Sequence, residues 1–128
     1  MRVLVDSHVF LWLGSDDERL PSQVRDLLAD SRTRIVVSVA TTWELTIKVL
    51  AGRLRLPREP EVHFAEYLGD YASEILAIEQ RHVDALPELP AIHADPFDRM
   101  LVAQALVEDL DLVTGDEVLQ GYHIRTIW

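Results

Sequence analysis

The chain has 128 residues, of which 12 are Lys or Arg and 22 are Asp or Glu, giving a formal net charge of −10 at pH 7. That length favours one domain, and an apolar fraction of 48% excludes a disordered chain. The absence of cysteine excludes disulfides, thiolate zinc sites, iron–sulfur clusters and a cysteine nucleophile.

The sequence begins Met-Arg-Val-Leu-Val-Asp, without the apolar stretch and cleavage site of a secretory signal, and no apolar window is long enough to span a membrane. We therefore expect a cytoplasmic protein with a single domain over residues 1–128. A chain this acidic repels polyanions, so nucleic-acid binding would need divalent cations or a local basic patch.

Short apolar runs alternate with amphipathic segments along the chain. This alternation predicts an α/β fold with a mostly parallel sheet covered by helices on both faces. Strands are predicted at residues 3–5, 35–37, 74–78, 112–114 and within 123–128. Helices are predicted at residues 8–14, 22–30, 39–50, 60–71, 79–86 and 95–107, with a helical turn at 117–119. Ser38 is the expected N-cap of the third helix, and Gly52 suits its C-terminal stop.

Ligands of open parallel sheets bind beyond the carboxyl ends of the strands, so the residues there are the first candidates for a site. Asp6 ends the first predicted strand, Ser38 follows the second, and Thr114 leads through Gly115 to Asp116 after the fourth. Asp6 suits a helix N-cap as well as a ligand. Asp116 suits a turn as well as a ligand, and Thr114 could cap or hold a water molecule.

Two further acids lie on predicted helices. Glu44 either pairs with Lys48 one turn later or interrupts an apolar strip of Ala40, Ile47 and Ala51, where a buried acid needs a partner. The second interpretation is favoured.

The sixth predicted helix opens with two acids. Asp95 followed by Pro96 is a standard helix opening, which gives Asp95 a structural explanation. Asp98 then falls in the first turn at the edge of the buried face, so it is the better candidate for chemistry.

Asp6, Glu44, Asp98 and Asp116 thus come from separate elements that a parallel sheet gathers at one edge. Converging carboxylates repel one another unless they are protonated or bridged by a cation. Oxygen ligands suit Mg²⁺ or Mn²⁺, and no His-x-x-x-His spacing points to zinc. A carboxylate-held Mg²⁺ is typical of phosphoryl-transfer sites.

Four blocks of the sequence resemble PIN-domain ribonucleases, most closely the VapC-like toxins of type II toxin–antitoxin modules. They occur in the family's order and span nearly the whole chain. The blocks are Val3-Leu4-Val5-Asp6-Ser7-His8-Val9-Phe10-Leu11-Trp12, Trp43-Glu44-Leu45-Thr46-Ile47-Lys48, His93-Ala94-Asp95-Pro96-Phe97-Asp98-Arg99-Met100-Leu101-Val102-Ala103-Gln104-Ala105 and Leu112-Val113-Thr114-Gly115-Asp116.

The resemblance implies a three-layer α/β/α sandwich and Mg²⁺- or Mn²⁺-dependent endonucleolytic cleavage of RNA by a metal-activated water. It also implies a homodimer inhibited by a small cognate antitoxin protein. The acidic quartet carried over by position is Asp6, Glu44, Asp98 and Asp116, with Asp6 and Asp98 expected to hold the principal metal ion. The expected supporting residues are Asp95, Ser7, Thr114 and Arg99; Ser7 stands where the motif often has Thr.

Basic and aromatic residues carry weaker expectations. Arg53, Arg55 and Arg58 lie in a connector, either as solvated loop charge or as an RNA or antitoxin contact. Arg99 either adjoins the site or pairs with a nearby acid. Trp12, Trp43 and Trp128 are interpreted as core or dimer surface rather than as platforms for base stacking.

Three alternative classes of protein fit these residues less well. A phosphorelay receiver needs adjacent acids after the first strand, an Asp ending the third and a late Lys, whereas the chain has Ser7, Glu79 and only Lys48. A haloacid-dehalogenase-like phosphatase needs an acid where His8 stands. A catalytically silent PIN-like binding module would lack one of the four acids, and all four are present.

Overall fold

A computed structural model describes residues 1–71 and 73–128. The strands are β1 (Arg2–Val5), β2 (Arg34–Ser38), β3 (Glu74–Leu76), β4 (Asp111–Val113) and β5 (Thr126–Ile127). The α-helices are α1 (Ser7–Ser15), α2 (Ser22–Ala29), α3 (Val39–Leu50), α4 (Pro60–Asp70), α5 (Gln80–Ala85) and α6 (Pro96–Glu108), and 3₁₀ turns cover Leu86–Glu88 and Leu119–Gly121. Among these helices, none is long and apolar enough to cross a membrane.

The five strands form one sheet in the order β3-β2-β1-β4-β5, and every neighbouring pair is parallel. Val3 pairs with Ile35 of β2 on one side and with Asp111 of β4 on the other. Because the chain leaves β1 towards β2 and later returns to β4, the order reverses between β1 and β4. A sheet of this type binds ligands at that reversal.

Alternating strand residues divide the core into two layers. Val3, Val5 and Val113 join a cluster with α1, α2 and Phe64 of α4, whereas Leu4, Val36 and Leu112 face a second cluster with α6. Successive strand side chains point to opposite faces, so both faces of the sheet are covered. The predicted three-layer α/β/α sandwich is confirmed.

The strand bounds differ slightly from the sequence prediction because local hydrogen bonds end the strands early. The third strand stops at Leu76, since the carbonyl of Ala77 accepts from the Gln104 side chain and Glu79 begins the cap of α5. The last strand covers only Thr126–Ile127. The predicted N-cap Ser38 is confirmed, and Gly52 adopts φ of +72° just after α3.

Candidate metal centre at the edge of the sheet

The carboxyl ends of β1 and β4 meet at the strand-order reversal. Asp6 follows β1, and Thr114 and Asp116 follow β4. Glu44 comes from α3, which starts directly after β2, and Asp98 comes from the first turn of α6. The sheet therefore brings side chains from four distant parts of the chain to one edge.

Asp6 is both a helix cap and a member of this edge. Its Oδ1 accepts from the Val9 N–H at 2.8 Å, and its Oδ2 accepts from the Thr114 hydroxyl at 2.5 Å. Thr114 Oγ1 in turn accepts from the Asp116 N–H at 3.0 Å. Burial raises the pKa of Asp6, while the hydrogen bonds from Thr114 and Val9 act to lower it. Thr114 thus fixes Asp6 relative to the backbone of Asp116.

Glu44 is buried and points towards the end of β1. Its Oε1 accepts from the Ser7 hydroxyl, and Ser7 directly follows Asp6. The described residues contain no ion pair between Glu44 and Lys48, so the surface-pair interpretation of Glu44 is wrong. A buried carboxylate with a single hydroxyl donor retains oxygen lone pairs for a further partner.

The start of α6 carries Asp95 and Asp98 in different roles. Asp95 Oδ1 accepts from the N–H groups of Phe97 and Asp98, which confirms the predicted cap. The Asp98 side chain is 21% exposed, and its Oδ2 lies 3.0 Å from Nε2 of His93. Burial and the nearby carboxylates Asp95, Glu44 and Asp116 raise the pKa of Asp98 to about 6, and His93 opposes this shift.

His93 lies between the predicted helices 79–86 and 95–107 and is a site residue that was not among the predicted ones. Its Nε2 lies 3.0 Å from Asp98 and 3.9 Å from Oδ2 of Asp116, and its backbone N–H donates to the Tyr122 hydroxyl at 3.0 Å. The Asp95 N–H donates to Nδ1 at 3.1 Å, so Nδ1 is unprotonated and Nε2 carries the ring proton. In this orientation His93 presents a proton to the two carboxylates rather than a lone pair to a metal ion.

The donor set fits a hard divalent cation. Glu44 and Asp116 raise the pKa of Asp98, and Asp116 raises that of Asp6, so like charge lies close to both of these acids. A cation among them would relieve this repulsion, and oxygen donors suit Mg²⁺ or Mn²⁺. The residues that could hold it are Asp6, Glu44, Asp98 and Asp116.

Arg99 makes no ion pair within the described part of the chain, so that expectation is wrong. Its guanidinium donates to the backbone carbonyls of Leu86 and Pro90 and lies 3.4 Å from the Tyr122 hydroxyl. Arg99 therefore positions the segment that carries His93. Its place as a supporting residue of the site stays a prediction.

The end of β2 is fixed by a buried polar contact across the sheet edge. The Ser38 hydroxyl donates to Oε1 of Gln104 at 2.5 Å and accepts from the Ala40 N–H at 3.0 Å. Both side chains are fully buried. This contact joins the start of α3 to α6 and so sets the helices of Glu44 and Asp98 against each other.

A parallel sheet whose order reverses beside converging carboxylates defines an α/β protein with an acidic cluster at the edge where such sheets bind ligands. The PIN domain family model matches residues 3–123, and the chain therefore belongs to the PIN domain family. The predicted resemblance to its VapC-like members is confirmed. The chain is 26% identical to Ribonuclease VapC22 of Mycobacterium tuberculosis over 129 residues, which cover 98% of each protein.

Two solved structures with the same fold are toxin–antitoxin complexes. The VapBC2 complex of Rickettsia felis, bound to a DNA fragment from its promoter, superposes with a TM-score of 0.76 at 15% identity, over 99% of this chain and 98% of the other. VapBC-1 of nontypeable Haemophilus influenzae superposes with a TM-score of 0.65 at 13% identity, over 99% of this chain and 97% of the other. At these identities the likeness establishes the fold.

Proposed function

We propose that the chain is an endoribonuclease dependent on Mg²⁺ or Mn²⁺ and the toxin of a toxin–antitoxin pair. The observation that carries this proposal is the convergence of the four predicted acids at the strand-order reversal. Thr114 joins Asp6 to Asp116, and His93 lies beside Asp98 and Asp116. Membership of the PIN family and the similarity to Ribonuclease VapC22 support RNA as the substrate. The proposed unit of activity is one PIN domain over residues 1–128, acting in the cytoplasm.

In the proposed mechanism Asp6 and Asp98 would hold the principal ion, with Glu44 and Asp116 beside them. A cation held there would neutralise phosphate oxygens and lower the pKa of a water molecule. Water adds to the phosphorus, the P–O3′ bond breaks, and the departing 3′ oxygen takes up a proton, which leaves a 5′-phosphate and a 3′-hydroxyl.

The surrounding side chains hold the acids in place for this reaction. Thr114 orients Asp6, and the Ser7 hydroxyl orients Glu44. His93 presents its Nε2 proton beside Asp98, so it restrains that carboxylate without competing for the ion. These supports agree with the general need of metal ligands for hydrogen-bonded outer partners.

A protein partner is part of the proposal. The structural neighbours are VapBC complexes, which supports a cognate antitoxin for this chain, and family members are expected to form homodimers. An apolar stripe on α3 is available for such contacts, since Val39, Trp43, Ile47 and Leu50 are all at least a third exposed. These residues share one face of the helix, and its end at Leu50 borders a cavity of about 460 Å³ next to α4.

The test is cleavage of single-stranded RNA by the purified chain in Mg²⁺, in Mn²⁺ and in excess EDTA. We expect cleavage with either ion, none with EDTA, and products that carry 5′-phosphates. Asp6→Ala and Asp98→Asn should abolish cleavage, whereas Asp26→Asn, at an exposed position of α2, should not change it.

Two outcomes would contradict the proposal. Full activity of Asp98→Asn would remove that acid from the mechanism, and equal cleavage in EDTA would exclude the metal centre. Calorimetric binding of Mn²⁺ without any RNA cleavage would instead favour a silent binding module.

A further inference from the structure

A cavity of about 340 Å³ opens beside the acidic cluster and is bordered by Asp6 and Asp116. Its remaining wall contains His8, Trp12, Arg19 and Trp128, so basic and aromatic side chains meet the proposed metal ligands directly. A cleft of this size, with aromatic walls and a few polar groups, has the character of a ligand subsite.

The aromatic wall of this cavity is a continuous cluster. The ring centroids of Trp12 and Trp128 are 6.2 Å apart, and those of His8 and Trp12 are 5.5 Å apart. The Arg19 guanidinium carbon lies 4.9 Å from the Trp12 ring centroid. Trp128 is 40% exposed, so its indole offers open surface to an incoming planar group.

Gly115 lets Trp128 lie against the backbone that leads to Asp116. A Cβ at position 115 would come within 2.6 Å of two atoms of the Trp128 ring. Only glycine therefore permits this packing, which keeps the indole next to the carboxylates.

Basic side chains lie on the side of the cavity away from the acidic cluster. A second cavity of about 280 Å³ shares Trp12 and Arg19 with the first and is bordered by Arg55. Arg19 pairs with Asp17 but keeps a side chain that is 69% exposed. Arg55 makes no ion pair within the described part of the chain. The two cavities adjoin at Trp12 and Arg19, and together they reach from the carboxylates to Arg55; they are hereafter the Trp–Arg groove. Asp17, the partner of Arg19, also borders the second cavity.

We infer that the Trp–Arg groove is a subsite for single-stranded RNA, in which an unpaired base stacks on Trp128 and Trp12 and a neighbouring phosphate meets Arg19 and Arg55. The inference rests on the proposed function, because the phosphate to be cleaved must lie at the acidic cluster. Aromatic stacking requires a base freed from its helix, which selects unpaired RNA. It replaces the expectation that Trp12 and Trp128 belong only to core or dimer surface.

The first experiment measures affinity for a fluorescent single-stranded RNA by anisotropy in Ca²⁺, with RNA integrity checked on a gel. Loss of one stacked base predicts that Trp128→Leu weakens binding about 5- to 50-fold, while Trp128→Phe restores most of it. Arg55→Gln should lower the slope of log affinity against log salt by about 0.7. The matched control Arg32→Gln lies outside the groove and should bind as the unaltered chain does.

Cleavage kinetics in Mg²⁺ or Mn²⁺ separate this inference from the proposed function. Trp128→Leu should raise KM with little change in kcat. Metal-dependent cleavage with an unchanged KM would overturn the subsite and leave the nuclease standing. Binding that depends on Trp128 without cleavage would support the subsite and overturn the nuclease.

Three further outcomes bear on the ligand. No RNA binding by the unaltered chain would overturn the subsite. Equal affinity for a double-stranded RNA of the same sequence would overturn the stacking. Loss of affinity in Trp128→Leu for a co-purifying protein, with RNA binding intact, would assign the groove to a protein and overturn the inference.

Discussion

Replacing Asp98 with asparagine should make the metal-free protein more stable while destroying the proposed metal centre. Asn is nearly isosteric with Asp and keeps an oxygen beside Nε2 of His93, but it removes one charge from the acidic cluster. The pKa of Asp98 rises from the ordinary 3.8 to about 6 because burial and neighbouring carboxylates oppose its charge. At ~1.36 kcal/mol per pKa unit, the charged form costs the folded state about 3 kcal/mol.

The sign and the pH window follow from this shift. Below about pH 4 Asp98 becomes protonated in the folded and the unfolded chain, so the substitution has little effect on the free energy of unfolding. Between about pH 4 and 6 the folded chain keeps a proton that the unfolded chain has lost, so the free energy of unfolding of the unaltered protein falls as pH rises. Asp98→Asn should therefore be more stable by about 2–3 kcal/mol at pH 8 and by only about 0.5 kcal/mol at pH 4.

Urea unfolding in EDTA at the two pH values measures the difference, with Asp26→Asn on the surface of α2 as the matched control. Adding Mn²⁺ at one hundred times its dissociation constant should stabilise the unaltered chain by about 2.7 kcal/mol and the variant much less. An unfolding free energy of Asp98→Asn at pH 8 equal to or below that of the unaltered chain would refute the reasoning.

Two further substitutions and one pH profile test the site. Thr114→Val removes the hydroxyl that donates to Asp6 and should lower the unfolding free energy by about 1–3 kcal/mol, whereas Thr114→Ser should cost less than half of that in the same urea assay. Gly115→Ala should displace the Trp128 indole, seen as altered near-ultraviolet circular dichroism, and an unchanged spectrum would contradict the close contact of residue 115 with the indole. Calorimetric affinity for Mn²⁺ should fall about tenfold per pH unit below pH 6, because Asp98 must release its proton; a flat profile from pH 5 to 8 would contradict this.

The parts of the fold that depend on local sequence could be predicted. Apolar triplets such as Val3-Leu4-Val5 mark buried strands, and the caps Ser38 and Asp95 carry their own hydrogen-bonding chemistry. The parallel direction of the strands could be predicted because strands alternate with helices along the chain. Strand ends were less predictable, because Ala77 leaves the third strand for a partner on α6.

The contacts that the supporting residues of the candidate site make could not be predicted in the same way. The Ser7–Glu44 contact joins residues 37 positions apart, and Thr114 and Asp6 are 108 positions apart. The role of His93 depends on which of its nitrogens the Asp95 N–H occupies, and that is a property of the folded loop. The only sequence signal was its position two residues before a helix-opening acid.

The pairing of β1 with β4 has a consequence for synthesis and turnover. Asp6 is made early, but the hydroxyl and acid that complete its surroundings follow β4, more than 100 residues later. A ribosome-bound chain that has not yet emerged past β4, or a fragment cut between α1 and α6, cannot assemble the cluster. The cluster is therefore complete only when the last strands dock, so biosynthesis itself delays any activity that depends on it.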